Sequence, residues 1–222
     1  MLFRSARSRS DPQLASKSVE PVVAAFDVDG TLTVRDCVFP FLLQVGRGRF
    51  VVRVLAGLPR LVGPVARRDR DTLKGFFVNA ALGGKPVDSV DELGERFAAR
   101  VARSWMREDV ATRLRWHQDQ GHVVVLVSAS LSPYLVPFGE ILEVDAVICT
   151  ELESIDGRYT GTLLGPNCRA GEKMVRLRAW AVDAGLSPEG WLRYAYGDSA
   201  GDAQMLLAAA EGVNVARREV TT

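Results

Sequence analysis

Short apolar runs rich in β-branched residues alternate with stretches of helical periodicity over most of this chain. Val22 to Phe26 is the first such run. It ends in Asp27-Val28-Asp29-Gly30-Thr31 and reads as a buried strand leaving its sheet through a turn. Val123 to Val127 behind Gly121, Val144 to Cys149, and Tyr194 to Gly197 read as three more strands. Helical spacing of apolar residues covers Arg107 to Gln118, Pro133 to Glu140, Glu172 to Ala184 and Gly201 to Ala210. That alternation predicts an α/β fold, a Rossmann-like parallel sheet with helices on both faces. Asp156-Gly157, between Ile155 and Arg158, adds a hairpin signal, so a small antiparallel flap is expected ahead of Lys173.

The rhythm breaks from Asp36 to about Arg103, a long segment that is helical by pattern and interrupted at Gly57, Pro59, Gly63, Pro64, Gly83, Gly84 and Pro86. It predicts a helical cap inserted after the first strand, above the strand ends where open α/β sheets bind ligands. The expected division is a polar, basic tail over 1–20, a core from 21–35 and 104–222, and a cap over 36–103.

Composition narrows the classes. A chain of 222 residues, 47% hydrophobic and 25% charged with net charge +1, can bury a full core and shows no footprint of a nucleic-acid partner. The three widely spaced cysteines, Cys37, Cys149 and Cys168, suit neither a disulfide framework nor a zinc site and point to a reducing, cytoplasmic compartment. No run approaches the ~20 apolar residues of a spanning helix, and the first twenty residues lack the apolar core of a secretory signal. Charge is nevertheless uneven: between Asp36 and Lys74 stand eight basic residues against three acids. There Phe39, Phe41, Leu42, Leu43, Val45, Phe50, Val51, Val52, Val54 and Leu55 give a helical pair apolar almost all round, with arginines interleaved. Such a pair fits either helices lying at a membrane interface, with arginines meeting anionic headgroups at its inner face, or an ordinary cap core with snorkelling arginines.

Asp27 and Asp29, two residues apart at a strand end, can face one crevice, although a plain turn has the same composition. Asp198 and Asp202, in Gly197-Asp198-Ser199-Ala200-Gly201-Asp202, again follow a short apolar strand and enter a helix. A helix N-cap with a first-turn acid accounts for either residue but not for the matched pair of clusters. Four carboxylates at one sheet edge repel unless a cation is present, and oxygen-only donors suit a hard ion such as Mg²⁺. Ser128, in Val-Ser-Ala-Ser, is either a plain N-cap or, with the backbone N–H groups that follow it at Ala129, a holder of phosphate oxygens. Lys173, one of four lysines in an arginine-rich chain, is either a solvated helix charge or a point cation beside acids and a phosphate. His117 and His122 belong to no metal-like cluster and read as structural.

In order and separation, Asp27-Val28-Asp29-Gly30-Thr31, Ser128, Lys173 and Gly197-Asp198-Ser199-Ala200-Gly201-Asp202 resemble the four motifs of the haloacid-dehalogenase-like superfamily, over roughly residues 22–215. A cap between the first two motifs is similar to the helical cap of its phosphoserine-phosphatase group, subclass IB. The resemblance implies a Mg²⁺-dependent phosphomonoester hydrolase. In it Asp27 is the nucleophile that becomes an aspartyl phosphate and Asp29 the general acid/base, while Ser128 and Lys173 hold phosphoryl oxygens. The ion would sit on Asp27, the backbone carbonyl of Asp29, Asp198 and Asp202. Thr31, Asp36, Lys74, Ser128 and Ala129 are the residues expected at the substrate.

Ser128-Ala129-Ser130, Cys149-Thr150-Glu151-Leu152, Gly157-Arg158-Tyr159-Thr160-Gly161 and Gly165-Pro166-Asn167-Cys168 resemble a branch of subclass IB, some of whose relatives are associated with lysophosphatidate or other phospholipid-derived phosphates. A small or lipid-derived phosphomonoester is therefore the favoured substrate. Phosphoserine phosphatases place a carboxylate nine residues after the nucleophile, usually Glu; here it is the shorter Asp36, and Ser-Ala-Ser stands where those enzymes tend to have Ser-Gly-Gly. Both departures weaken the phosphoserine reading. A phosphotransferase on the same fold would keep every motif.

Overall fold

The computed structural model describes residues 21–67, 69–186, 190–217 and 220, so the tail expected over 1–20 lies outside the described residues. Its strands are β1 (Val23–Phe26), β2 (Val123–Leu131), β3 (Ala146–Thr150), β4 (Leu152–Ile155), β5 (Arg158–Leu163), β6 (Leu192–Gly197) and β7 (Glu211–Asn214). Five of them form one sheet in the order β3-β2-β1-β6-β7, every pairing parallel. β4 and β5 make a separate antiparallel hairpin across Asp156-Gly157. The helices are α1 (Val38–Ala66), α2 (Arg70–Leu82), α3 (Val87–Ser104), α4 (Glu108–Asp119), α5 (Ser132–Ile141), α6 (Gly171–Asp183) and α7 (Ala203–Ala208).

The central strands are buried on both faces, and alternate residues serve different layers. Ala24, Phe26, Val124 and Leu126 pack into the larger cluster, with Val110 and Leu114 of α4 and Tyr134, Leu135 and Phe138 of α5. Val23, Ala25, Val125 and Val127 face the smaller one, with Met174 and Leu177 of α6 and Met205 of α7. Helices thus cover both faces. The three helices between β1 and α4 extend the larger cluster through Phe41, Phe50 and Phe97. Their two connections to the sheet run side by side: Val34 donates to the Trp105 carbonyl at 2.9 Å, Arg107 donates to that of Leu32 at 2.8 Å, and the Arg35 guanidinium lies 3.9 Å over the Trp105 ring.

Several local expectations shift. β2 runs on to Leu131 with an irregular register after Val127, and α5 begins only at Ser132, capped by Leu131. Ser128 is therefore not a helix cap. The helix expected over Gly201–Ala210 is a 3-10 turn, Ala200–Asp202, followed by the short α7. β7 carries no strand signal in Glu-Gly-Val-Asn and exists through its backbone pairing with β6. α1 breaks at Arg47, held at φ 51° and ψ −143°, so the expected helical pair is present end to end. His117 is fully buried, with Nδ1 2.7 Å from His122 Nδ1 and Nε2 2.9 Å from the Tyr196 hydroxyl. All three cysteines are free and buried.

Where α3 crosses α5, a Cβ on Gly94 would lie 1.9 Å from the Pro133 carbonyl oxygen, so the inserted helices seat against the core through a missing side chain. Gly94→Ala is expected to lower the unfolding free energy in urea by about 2 kcal/mol, the usual cost of overpacking; an unchanged midpoint would show that this crossing is not tight.

Candidate active site

β1 and β6 are adjacent and in register, Phe26 beside Tyr196, their rings stacked with centroids 4.4 Å apart. Both strands end at the same edge, so Asp27 and Asp198 emerge together. Oxygen atoms of Asp27, Asp198 and Asp202 lie within 4.8 Å of one another. Gly30, at φ 83°, makes the approach possible, since a Cβ there would sit 2.5 Å from Asp198 Oδ2.

Lys173, in the first turn of α6, is the cation of this cluster. Its ammonium is buried and donates to Asp27 Oδ1 and to Asp202 Oδ1, each at 2.5 Å. Burial alone would lower its pKa, but the charges of Asp27 and Asp202 more than offset that and raise it. Asp202 is fully engaged: its Oδ2 accepts from the Ser199 N–H at 3.0 Å and the Ser199 hydroxyl at 2.7 Å, closing a capping box. Thr31 has no exposed surface, and its hydroxyl lies 3.3 Å from Asp27 Oδ2 and 3.4 Å from Asp198 Oδ1.

Asp29 turns the other way. Its Oδ1 accepts from the Cys37 N–H at 2.8 Å and its Oδ2 from the Ser130 hydroxyl at 2.5 Å, which in turn accepts from the Tyr134 hydroxyl at 2.6 Å. Burial, then the charge of Asp36, raises the Asp29 pKa. Burial likewise drives Asp27 up to about 7 against the pull of Lys173, and it raises Asp198, with the charge of Asp202 adding to it. Asp27 and Asp202 thus share the Lys173 ammonium, with Asp198 beside them. The donor set is oxygen only, and Asp27 Oδ2 and both Asp198 oxygens are free of strong donors, so these two residues fit a hard divalent ion.

The acids floor a cleft of about 410 Å³. Ser128, Ala129 and Asn167 line it from the core, and Val38, Phe39, Leu42, Leu73 and Phe77 from the inserted helices. Arg70, Lys74 and Arg169 bring positive charge and Asp36 one acid. Ser128 is buried, its Oγ accepting from the Ser130 N–H at 3.0 Å, which fixes a tight loop at the end of β2. Asp36 is exposed at the rim and accepts from the Phe39 N–H at 3.1 Å, at the start of α1. Ser130 and Asn167 stand in the sequence only within the segments Ser128-Ala129-Ser130 and Gly165-Pro166-Asn167-Cys168, with no role assigned to either, and Tyr134 carries no signal of its own.

A model of the haloacid dehalogenase-like hydrolase family matches residues 24–207. The chain belongs to that family. It is an enzyme of the family, with phosphoserine-phosphatase-like structural neighbours. Protein CicA of Caulobacter vibrioides is 38% identical over 205 residues, which cover 92% of this chain and 90% of that protein. A crystal structure of a Bordetella pertussis Tohama I protein of unknown function is 25% identical, with TM-score 0.67 over 85% of this chain and 87% of the other. A phosphoserine phosphatase captured as a phospho-aspartyl intermediate analogue is 20% identical, with TM-score 0.58 over 86% of this chain and 84% of its own, a likeness of fold.

Removing the ammonium leaves Asp27 and Asp202 facing each other without a counter-charge. Lys173→Met is expected to lower the unfolding free energy, measured in chelator, by about 3 kcal/mol; a variant as stable as the parent would show that Lys173 does not hold the two strand ends together.

Proposed function

We propose that this haloacid dehalogenase-like hydrolase cleaves a phosphomonoester through an aspartyl phosphate on Asp27, and that its substrate is lipid-derived, of lysophosphatidate type. The observation that carries the reaction is the pairing of two unlike acids at one sheet edge. Asp27 is bonded to Lys173, and Asp29, with no ammonium bonded to it, is held by Ser130 and the Cys37 N–H with its pKa raised. In this reading Asp27 attacks phosphorus while the bond to the leaving oxygen breaks and Asp29 supplies that oxygen's proton. Asp29 then takes a proton from the water that displaces phosphate from Asp27, restoring both acids. Ser128 and the Ala129 N–H steady the transferring oxygens, and Lys173 offsets the charge on the acyl phosphate. Mg²⁺ held by Asp27, Asp198 and the Asp29 carbonyl would supply charge neutralisation and keep Asp27 ionised near neutral pH. Asp202 acts through Lys173. We take residues 36–103 as the cap over this site.

The cleft walls support the substrate class. An apolar side of Val38, Phe39, Leu42, Leu73 and Phe77 suits the body of a lipid, and Arg70 and Arg169 suit anionic headgroup oxygens, while Lys74 is engaged by acceptors of the core. Asp36 is engaged at the start of α1, which weakens it as a partner for a substrate amine. Thr31 acts between Asp27 and Asp198.

We place the cap against the inner face of a membrane. From Cys37 to Arg68 the chain has no acid and six arginines. Phe41, Leu42, Val45 and Phe50 turn into the core, but Val52, Leu55, Leu58, Val62 and Val65 of α1 are 50 to 69% exposed. Leu55, Leu58, Val62 and Val65 recur every three or four residues, one face of a helix. With six arginines and no acid, the segment Cys37 to Arg68 is complemented by an anionic lipid surface. Among the described residues no helix is long and apolar enough to cross a membrane.

Phosphate release from lysophosphatidate, glycerol 3-phosphate, phosphoserine and an aryl phosphate tests the reaction. Release from lysophosphatidate is expected to exceed the others, to stop with chelator and to fall by at least about a thousandfold in Asp27→Asn. No release, or release indifferent to Asp27→Asn, would sink the aspartyl-phosphate reading, and a preference for phosphoserine would sink the lipid one.

Co-sedimentation with vesicles tests the membrane contact. The chain is expected to pellet with phosphatidylserine-containing vesicles and not with phosphatidylcholine alone, the binding weakening with salt and with Leu55→Asp. Equal recovery from both vesicle types would argue against it.

A further inference from the structure

On the cleft wall formed by the inserted helices, α2 meets the core through a polar junction that the phosphatase chemistry does not itself require. The Lys74 ammonium reaches out of the inserted helices to the Ala129 carbonyl, the Thr150 hydroxyl (3.1 Å) and Asn167 Oδ1 (2.6 Å). Asn167 Nδ2 donates to Asp71 Oδ1 at 2.6 Å, so two side chains one turn apart on α2 grip both ends of one core amide. The Thr150 hydroxyl lies 2.9 Å from both the Ala129 carbonyl and Asn167 Oδ1 and can give its hydrogen to one of them, while it accepts from the Cys168 N–H at 3.1 Å. Three core segments therefore converge on one cap lysine: the loop after Ser128, the end of β3 and the loop before α6.

The carbonyl that Lys74 holds belongs to the peptide joining Ala129 to Ser130. Its neighbours on either side are the Ser128 hydroxyl and Ser130, whose own hydroxyl fixes Asp29. Every acceptor directly bonded to Lys74 is neutral, which is an unusual setting for an ammonium so enclosed and calls for a geometric role. We propose that Asp71, Asn167 and Lys74 form a closure latch, in which seating of the inserted helices sets the Ser128–Ser130 loop, and so Asp29, for reaction. This rests on the phosphatase reading above and makes Asp71 and Asn167 positioning residues. Asp71 is exposed and is not part of the cleft wall, so it touches no substrate.

The latch carries a pH signature. Burial brings Lys74 down to about 8, against the opposing charges of Asp29 from the turn after β1 and Asp71 on its own helix. The remaining groups facing it, the thiols of Cys149 and Cys168, are pushed up by burial, Cys168 to about 11, and stay neutral near pH 8. A lysine with a depressed pKa loses its proton as pH rises through that value, so the latch releases above about pH 8.

Steady-state kinetics on a small aryl phosphate, which carries no headgroup beyond its phosphoryl group, decides it. Asp71→Ala is expected to lower kcat about tenfold, the loss of one charge-assisted hydrogen bond, with KM little changed; Asp71→Asn, which keeps an acceptor oxygen for Asn167, is expected to recover most of it. In the wild type kcat falls as pH rises through about 8, and in Lys74→Arg that limb moves beyond pH 10. Wild-type kcat in Asp71→Ala, or a change in KM alone, overturns the latch while leaving the phosphatase intact. Absence of phosphate release by the wild type overturns both, and circular dichroism of each variant separates loss of the latch from loss of the fold.

Discussion

The arrangement of this molecule depends on two parallel strands ending at the same level. Because Phe26 and Tyr196 are paired and stacked, Asp27 and Asp198 leave the sheet side by side, and no loop has to be recruited to bring them together. Placing like charges so close in a buried setting is costly. The cost is offset by one ammonium, Lys173, carried on α6 from the opposite face of the sheet, and by the capping box that fixes Asp202 beneath it. Glycine at position 30 supplies both the positive φ and the missing Cβ that such crowding demands.

Around that floor the two acids of the first strand end are given different surroundings. Asp27 belongs to the charged cluster, with Lys173, Asp202 and Thr31. Asp29, two residues on, faces a neutral hydrogen-bonding wall of Ser130, Tyr134 and the Cys37 N–H. A strand-to-turn transition makes this possible, because the chain can aim the two side chains apart while keeping them at one edge. The same wall connects Asp29 to the Ser128–Ser130 loop, and through Ala129 to Lys74 on the inserted helices. Floor and roof are thereby one polar network.

The inserted helices have two unlike sides. The inward side of α1 and α2 supplies the apolar wall of the cleft through Val38, Leu42, Leu73 and Phe77. The outward side of α1 leaves Leu55, Leu58, Val62 and Val65 uncovered. An expectation of helices apolar all round was thus half packing and half surface, a division that composition does not reveal, since Phe50 and Val51 are adjacent and only one is buried.

Local sequence determined the strand ends, the turn glycine, the hairpin at Asp156-Gly157 and the helices between β1 and β2, because each rests on a short-range rule of periodicity or backbone freedom. Other features depend on partners distant in the chain. β7 is a strand only because β6 offers it a free edge. Ser128 is a bulged strand end and not a helix cap because β2 continues past it beside β3. Thr150, Asn167 and Asp71 matter only because three segments meet at Lys74. Hydrogen-bond partners across 76 and 96 positions leave no mark on local pattern, so the tertiary fold alone decided which polar residues became part of the site.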